Sequence, residues 1–203
     1  MNKENIYKIK EELKDVTLVA TTKYISSSDM RILFSYGINN FGENRVDVFN
    51  KKFEELKDLD ITWHFIGHLQ RNKAKYIINK IDYLHSLDSI DLAKIIDKER
   101  ITPLDTFIEI KLVDNKNKYG VSIDSLDEFM NSIKEYKMIN VIGFMVMSDI
   151  INEEEINKIF SKAYELKEKY HLKYLSMGMS NDYKLALSNG ATHVRLGRIL
   201  FNE

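Results

Sequence analysis

The sequence contains no cysteine, which excludes disulfides, thiolate metal centres and a cysteine nucleophile. Long apolar runs are also missing. The longest covers residues 141–147, far short of the roughly 20 residues that a membrane-spanning helix needs. The N-terminal segment MNKENIYKIKEELKD is charged throughout, so we expect no secretory signal. Together these absences predict a cytoplasmic protein.

Neither sign of charge is in excess. The 203 residues carry 30 lysines and arginines against 31 aspartates and glutamates, a net charge of −1. A chain with this balance creates no bulk field that attracts nucleic acid or an anionic membrane, so we expect no nucleic acid and no membrane as partners. Hydrophobic residues make up 44% of the chain, enough for a sizeable core. No surface apolar stripe is long enough to force a dimer, so we expect a monomer.

The sequence also lacks a linker segment that would separate two domains. Proline occurs once, as Pro103, the eight glycines are scattered, and no window is rich in serine or low in complexity. Domain boundaries normally fall in segments of that kind. The sequence therefore predicts a single domain over residues 1–203.

What the sequence does contain is an alternation of short apolar segments with longer amphipathic ones. The short segments predict β-strands at Val16–Thr22, Asn39–Gly42, Ile61–Gly67, Asp82–His85, Asp105–Lys111, Asn140–Met145, Lys173–Met177 and Thr192–Leu196. The amphipathic segments predict helices at Ile6–Leu13, Asp29–Tyr36, Arg45–Leu56, Asn72–Ile78, Ser89–Lys98, Leu126–Tyr136, Glu153–Tyr170 and Tyr183–Leu187. Gly37 and Gly190 follow two of these helices, where a left-handed C-cap favours glycine.

Eight strand–helix units with one leading helix predict an α/β fold, a (β/α)₈ barrel of the TIM type at the small end of its size range. An open, doubly wound sheet has strands of the same appearance and is the alternative. In a barrel, the loops at the carboxyl ends of the strands form the active face. Those loops are polar in this sequence, whereas the strands before them are apolar. We therefore look for functional residues at the strand ends.

Lys23 follows directly on the β-branched first strand. A lysine at a strand end inside a barrel mouth is expected to be partly desolvated, which favours the free amine over the ammonium ion. A free amine can attack an aldehyde and form a Schiff base. The alternative is an ordinary solvated lysine.

The last two strands are followed by residues suited to an anion. Ser180, Asn181 or Asp182 can cap the helix after the seventh strand, leaving its first N–H groups at the barrel mouth. Gly197 follows the eighth strand, where a missing side chain lets backbone N–H groups approach an anion. The loops after strands seven and eight form the usual phosphate site of this fold. A plain capped helix followed by a tight turn is the alternative.

Arg195 alternates with Val194 and Leu196 along the eighth strand, so its side chain is expected to point into the top of the barrel. A buried arginine needs an acceptor. The sequence leaves two possibilities open, a ligand or a core carboxylate such as Glu43.

The histidines give no metal-binding pattern. His64 and His68 are four residues apart, but Gly67 and the strand pattern place them on no helix, so we expect no metal site. Neither a nucleophile elbow nor a Walker loop is present, and no Ser-His-Asp triad can be recognised. These patterns therefore identify no catalytic residue.

Several motifs resemble those of the pyridoxal phosphate homeostasis proteins, the YggS or PROSC family. They are Val19–Lys23 (VATTK), Phe41–Asn44 (FGEN), Trp63–Lys73 (WHFIGHLQRNK), Ser176–Asp182 (SMGMSND) and Val194–Gly197 (VRLG). The resemblance runs from Leu18 to Phe201, nearly the whole chain. Its central motif and its GMS element are highly specific.

The resemblance implies a barrel similar to the N-terminal domain of alanine racemase, with pyridoxal 5'-phosphate (PLP) held as a Schiff base on Lys23. It implies that Ser180 and the backbone of Gly197 and Arg198 hold the phosphate, and that Arg195 faces the pyridine nitrogen. The cofactor-binding set that we predict is Lys23, Asn44, His64, Met179, Ser180, Arg195, Gly197 and Arg198. Two positions depart from the family pattern: Arg198 stands where a small hydroxyl residue is frequent, and Asn202 replaces a glycine.

The resemblance implies a role in PLP (vitamin B6) and amino-acid homeostasis without robust catalysis, with apo PLP-dependent enzymes as candidate recipients. An arginine keeps its proton, so Arg195 would leave the ring nitrogen neutral and the ring a poorer electron sink. We also expect no added domain that supplies a second base. One alternative is a PLP-dependent amino-acid racemase-like enzyme that uses Tyr24, His64 or Ser86 as this base. The other is a barrel that binds a different phosphorylated metabolite, with Lys23 only as a charge.

Overall fold

The computed structural model describes residues 3–112, 119–148 and 152–201. Within these ranges the strands are β1 (Thr17–Thr21), β2 (Asn40–Glu43), β3 (Thr62–Phe65), β4 (Tyr83–Leu87), β5 (Leu104–Lys111), β6 (Val121–Ser122), β7 (Ile139–Met145), β8 (Tyr174–Ser176) and β9 (His193–Leu196). The helices are α1 (Lys3–Glu12), α2 (Ser27–Ser35), α3 (Val46–Glu55), α4 (Arg71–Ala74), α5 (Ile90–Glu99), α6 (Ile123–Ser132), α7 (Glu153–Lys169), α8 (Tyr183–Ser188) and α9 (Arg198–Phe201), with a 3₁₀ turn at Ile133–Glu135.

The sheet is a closed ring of parallel strands. Strands β4, β3, β2, β1, β9, β8, β7 and β5 pair in this order, and β4 also pairs with β5. An open sheet would leave two edge strands unpaired on one side, so the doubly wound alternative is excluded. The predicted TIM-type barrel is confirmed.

Helix α7 shows how the sequence forms the outer layer. Its apolar residues recur at helical spacing and are buried against the barrel: Ile156, Ile159, Phe160, Ala163 and Leu166. The side chain of Asn152 caps the helix by accepting a hydrogen bond from the N–H of Glu155 at 3.1 Å. Glutamates in the first turn and lysines in the last turn complement the helix dipole.

Three local features differ from the sequence prediction. Helix α4 ends at Ala74 rather than at Ile78, because hydrogen bonds from Ile77 N–H to Ala74 O and from Lys80 N–H to Ile77 O form separate tighter turns. The short strand β6 adds to the end of β5 outside the ring, and the single turn of α9 follows β9. Both elements are too short for a periodic pattern to reveal them. Gly37 and Gly190 have φ values of 77° and 82°, as expected for left-handed caps.

Side chains alternate along each strand, so the outer and the inner face of the sheet form two different buried layers. Side chains on the outer face of the sheet, such as Phe41, Phe65 and Leu84, join the helices in a continuous apolar core. Side chains on the inner face are largely polar, and His85 on β4 bonds across the interior to Ser176 on β8, which is not a neighbouring strand. In the part of the chain that the structure describes, no helix has the length and hydropathy to cross a bilayer.

Candidate functional site

A cavity of about 1210 Å³ opens at the carboxyl ends of the barrel strands. Residues from several strand ends line it, which is where this fold places its ligands. Of the predicted cofactor-binding set, the structure brings together Lys23, Asn44, Met179, Ser180, Arg195, Gly197 and Arg198 around this cavity. His64 does not line it.

Lys23 stands on the rim of the cavity. Strand β1 ends at Thr21, and a hydrogen bond from Ile25 N–H to Thr22 O at 3.1 Å turns the chain at Lys23, whose side chain is exposed. Its Nζ lies 4.6 Å from the centroid of the exposed Tyr24 ring, within cation–π range. The expectation that Lys23 is partly desolvated is wrong, because its side chain is exposed.

A buried ion pair anchors the backbone directly before Lys23. The Nζ of Lys52 donates to Glu43 Oε1 and to the carbonyl of Thr22, both at 2.6 Å, and the Thr22 hydroxyl donates to the same carboxylate oxygen at 2.5 Å. All three side chains are buried. Glu43 therefore pairs with Lys52, and the alternative that it pairs with Arg195 is wrong.

The loops after β8 and β9 meet on one side of the cavity. The N–H of Gly197 donates to Ser180 Oγ at 3.3 Å, and a Cβ at Gly197 would lie 2.4 Å from Thr21 Oγ1, so a side chain there would displace the Thr21 hydroxyl. Asp182 occupies the N-cap position of α8, but its carboxylate accepts from the N–H of Met179 at 2.5 Å instead of capping the helix. This bond closes the loop that presents Met179 and Ser180.

Arg195 is 4% exposed and reaches the cavity from inside the barrel. Its Nη1 donates to Ser176 Oγ at 2.7 Å, and its Nη2 donates to the carbonyl of Val146 at 2.9 Å. Burial lowers the pKa of Arg195 to about 10, while Glu109 and Asp182 act in the opposite direction. The guanidinium therefore stays charged at neutral pH.

Glu109 is a candidate functional residue that the sequence reasoning missed. It lines the cavity from β5 and is only 6% exposed. Burial and the nearby charge of Asp88 raise its pKa to about 7, and Arg195 opposes this shift. The available signal was a charged residue between Ile108 and Ile110, in the apolar middle of the predicted strand, because glutamate is almost never fully buried unless it is paired.

His64 and His68 have different surroundings. His64 is fully buried below the cavity, with its ring nitrogens 2.9 Å from His85 Nε2 and from Asn40 Oδ1, and burial lowers its pKa well below the usual value. His68 lines the cavity, lies 3.0 Å from Asp88 Oδ2 and stacks on Tyr119. Over the described ranges, no group of three or more histidines and carboxylates is arranged to hold a metal ion.

The lining of the cavity suits a ligand that carries an aldehyde and an anionic group. Lys23 supplies an accessible amine, and the buried Arg195 supplies a positive charge. Among the described residues, Asn44 Oδ1 is buried without a hydrogen-bond partner, although Asn44 lines the cavity. A ligand in the cavity can therefore supply the hydrogen bond that this oxygen lacks.

Residues 2–203 match the family model described as alanine racemase, N-terminal domain. The pyridoxal phosphate homeostasis protein of Aquifex aeolicus is 38% identical over 196 residues, which are 92% of this chain and 86% of that protein. The chain belongs to the pyridoxal phosphate homeostasis protein family. The resemblance inferred from the motifs is confirmed.

Solved structures agree with this family. PipY of Synechococcus elongatus PCC7942, solved with PLP bound, has a TM-score of 0.90 and 31% identity, covering 98% of this chain and 99% of that one. Alanine racemase from Corynebacterium glutamicum has a TM-score of 0.76 and 15% identity, covering 99% of this chain but 60% of the enzyme. This second likeness shows the shared barrel alone.

Replacing Lys52 with methionine should destabilise the fold strongly. Lys52→Met keeps the length of the side chain but leaves the Glu43 carboxylate buried and unpaired, which typically costs about 3–5 kcal/mol. Lys51→Met is the matched control, because Lys51 is exposed and lies 3.9 Å from Glu55, a contact of little energetic value. The measurement is the free energy of unfolding in urea, and equal losses in the two variants would contradict the role of the ion pair.

Glu109 should make stability depend on pH. Because its pKa rises from 4.5 to about 7 on folding, the folded state binds more protons between these pH values. The contribution of Glu109 to the free energy of unfolding therefore falls as pH rises through this window, by about 3 kcal/mol in total. Glu109→Gln should become increasingly more stable than the wild type across the window. Exposed Glu128→Gln serves as the control, and a stability difference for Glu109→Gln that does not grow with pH would contradict the assignment.

Proposed function

We propose that this protein binds PLP at the barrel mouth and serves in PLP and amino-acid homeostasis without robust catalysis. The observation that carries the proposal is the convergence of Lys23, the Ser180–Gly197 pair and Arg195 on one cavity. An amine, an anion cradle and a buried cation are the groups that an aldehyde, a phosphate and a pyridine nitrogen require. The PLP bound to PipY and the names of the homeostasis proteins support the same ligand.

Lys23 is the proposed point of covalent attachment. Its Nζ would hold PLP through the aldehyde group, because an amine free of its proton is a nucleophile toward an aldehyde. The buried pair of Lys52 and Glu43 holds the preceding carbonyl, that of Thr22, and so fixes the position from which the Lys23 side chain starts.

The phosphate is assigned to Ser180 and to the backbone N–H groups of Gly197 and Arg198. The 3.3 Å bond between Gly197 N–H and Ser180 Oγ supports this assignment, because it places the hydroxyl and the start of α9 side by side. The exposed Arg198 side chain adds positive charge at the position where the family frequently has a hydroxyl.

Arg195 is assigned to the pyridine nitrogen, and Asn44 and Met179 to the cavity wall. When bound, PLP supplies an electron-withdrawing ring for chemistry on amines. Arg195 limits that chemistry, since its guanidinium retains its proton and presents only donors to the ring nitrogen. His64 lies outside the cavity, so we leave it out of the set that contacts the ligand.

We further propose that the protein acts as a cytoplasmic monomer and passes PLP to apo PLP-dependent enzymes. The exposure of Lys23 supports the transfer, because an amine of another protein can reach the rim. The absence of cysteine supports the compartment.

One observation favours a racemase-like PLP enzyme as a second candidate function. Glu109 lines the cavity with a pKa of about 7, which suits a general acid or base at neutral pH. Among the bases considered from sequence, Tyr24 lies on the rim, whereas His64 is buried below the cavity and the buried Ser86 donates to the carbonyl of Gly67. Rapid deuterium uptake at the Cα of free amino acids would favour this enzyme over the homeostasis role.

Reductive trapping tests the attachment point. After incubation with PLP and reduction by borohydride, mass spectrometry should locate the pyridoxyl group on Lys23, and Lys23→Ala should abolish it. Lys23→Arg keeps the charge but lacks a nucleophilic amine. Undiminished PLP binding by Lys23→Arg, or a label on another residue, would overturn the attachment and favour Lys23 as a charge alone.

Ser180→Ala should weaken PLP retention. Removing a hydroxyl that donates to a phosphate costs roughly 1.5–3 kcal/mol, so the variant should lose PLP faster in dialysis. Ser188→Ala is the control, since Ser188 is exposed at the end of α8 and donates only to the carbonyl of Lys184 among the described residues. Equal retention by the two variants would place the phosphate elsewhere.

A further inference from the structure

A chain of hydrogen bonds crosses the barrel interior below the cavity. From Arg195 Nη1 it passes to Ser176 Oγ at 2.7 Å, and from there to His85 Nδ1 at 2.8 Å. His85 Nε2 lies 2.9 Å from His64 Nδ1, and His64 Nε2 lies 2.9 Å from Asn40 Oδ1. We call these five residues the interior chain. They come from β9, β8, β4, β3 and β2, so the interior chain ties together strands on opposite sides of the barrel.

The direction of the bonds is fixed at the Asn40 end. Asn40 Nδ2 donates to Asn39 Oδ1 at 2.9 Å, so its own Oδ1 faces His64 Nε2 and must accept a proton from that nitrogen. Burial lowers the pKa of both His64 and His85 well below the usual value, so each ring carries a single N–H at neutral pH. Because His64 uses its N–H toward Asn40, its Nδ1 accepts from His85 Nε2.

The directions of the remaining hydrogen bonds, as far as Arg195, follow in the same way. With its proton on Nε2, His85 accepts at Nδ1 from the Ser176 hydroxyl. The hydroxyl proton then points at His85, and a lone pair of Ser176 Oγ receives the N–H of Arg195. All donors point the same way, from Arg195 toward Asn40. Aligned hydrogen bonds polarise one another, which makes Ser176 Oγ a stronger acceptor for the guanidinium.

We infer that His64, His85 and Ser176 are positioning residues, which fix the plane of the Arg195 guanidinium and thereby the direction of the N–H groups that it offers to the cavity. The inference rests on the proposed function, in which those N–H groups meet the ring nitrogen of PLP. An arginine has five N–H donors, and Ser176 and the Val146 carbonyl each accept from one of its two terminal nitrogens. These two hydrogen bonds fix the orientation of the planar guanidinium group.

His193 provides a control that distinguishes a positioning role from a packing role. Its ring lies in the same interior, with its centroid 6.1 Å from that of His85, 6.4 Å from that of His64 and 5.0 Å from that of Phe107. Its Nδ1 bonds to Thr192 Oγ1 at 3.0 Å, and within the described ranges it makes no hydrogen bond to the interior chain. His193 therefore shares the environment of the interior chain without the link to Arg195.

Four variants, each loaded with PLP, test the inference. His85→Leu leaves the Ser176 hydroxyl without its acceptor, and Ser176→Ala removes the acceptor of Arg195. His85→Asn keeps an acceptor oxygen on Cγ for that hydroxyl. His193→Phe changes the packing and removes the bond to Thr192, but it removes no hydrogen bond of the interior chain. The measurements are the absorption spectrum of bound PLP, its rate of loss in dialysis and the melting temperature.

We expect His85→Leu and Ser176→Ala to lose PLP roughly tenfold faster with a shifted spectrum, since a hydrogen bond to a charged group is perturbed. His85→Asn should restore the wild-type spectrum, and His193→Phe should lower the melting temperature without changing the spectrum. An unchanged spectrum in His85→Leu, or an equal shift in His193→Phe, would overturn the inference.

Nitrogen-15 NMR of the wild-type chain without PLP provides a test that no folding defect can obscure. His64 and His85 should both be neutral and carry their proton on Nε2. A proton on Nδ1 of His85, or a charged ring at neutral pH, would overturn the inference even if Lys23 binds PLP. Failure of reductive trapping at Lys23 would instead contradict the proposed function, so the two failures are distinguishable.

Discussion

The buried guanidinium of Arg195 is the constraint on which the interior of the barrel depends. Removing a charge from water costs several kcal/mol unless acceptors surround it. Ser176 and the Val146 carbonyl accept from it directly, and the charges of Glu109 and Asp182 favour its protonated form. An interior filled with branched aliphatic side chains, which is usual in this fold, would leave the cation unsatisfied. Arg195 therefore requires polar partners inside the barrel.

Stability and chemistry are divided between the two faces of the sheet. The outer face and the helices form a continuous apolar core, which supplies the burial that holds the barrel closed. The inner face is therefore free to carry histidines, hydroxyls and carboxylates. The pair of Lys52 and Glu43 connects the two regions, because Lys52 extends from a helix toward the backbone of the first strand. Helix packing and the position of Lys23 are thus coupled.

The sequence pattern favoured the barrel over an open sheet and pointed to the strand ends, and the family resemblance added further residues of the cavity. Eight apolar segments alternate with helices, and residues at the strand ends are brought together by the parallel topology. Interactions between distant positions were not predictable from spacing, such as the bond between His85 and Ser176, which are 91 positions apart. Lys52 lies within the predicted helix Arg45–Leu56, and nothing in that pattern predicts its buried bond to the carboxylate of Glu43. Lys23 is exposed at a turn that the strand pattern does not predict.

That turn has a chemical consequence under the proposed function. A carbon–nitrogen double bond formed on an exposed side chain remains open to hydrolysis, whereas one sealed in a dry pocket is protected. Lys23 stands at the rim beside Tyr24, which is 81% exposed. Binding of PLP would then be reversible. The fraction of the protein that carries PLP would follow the concentration of free PLP, as a buffering role requires.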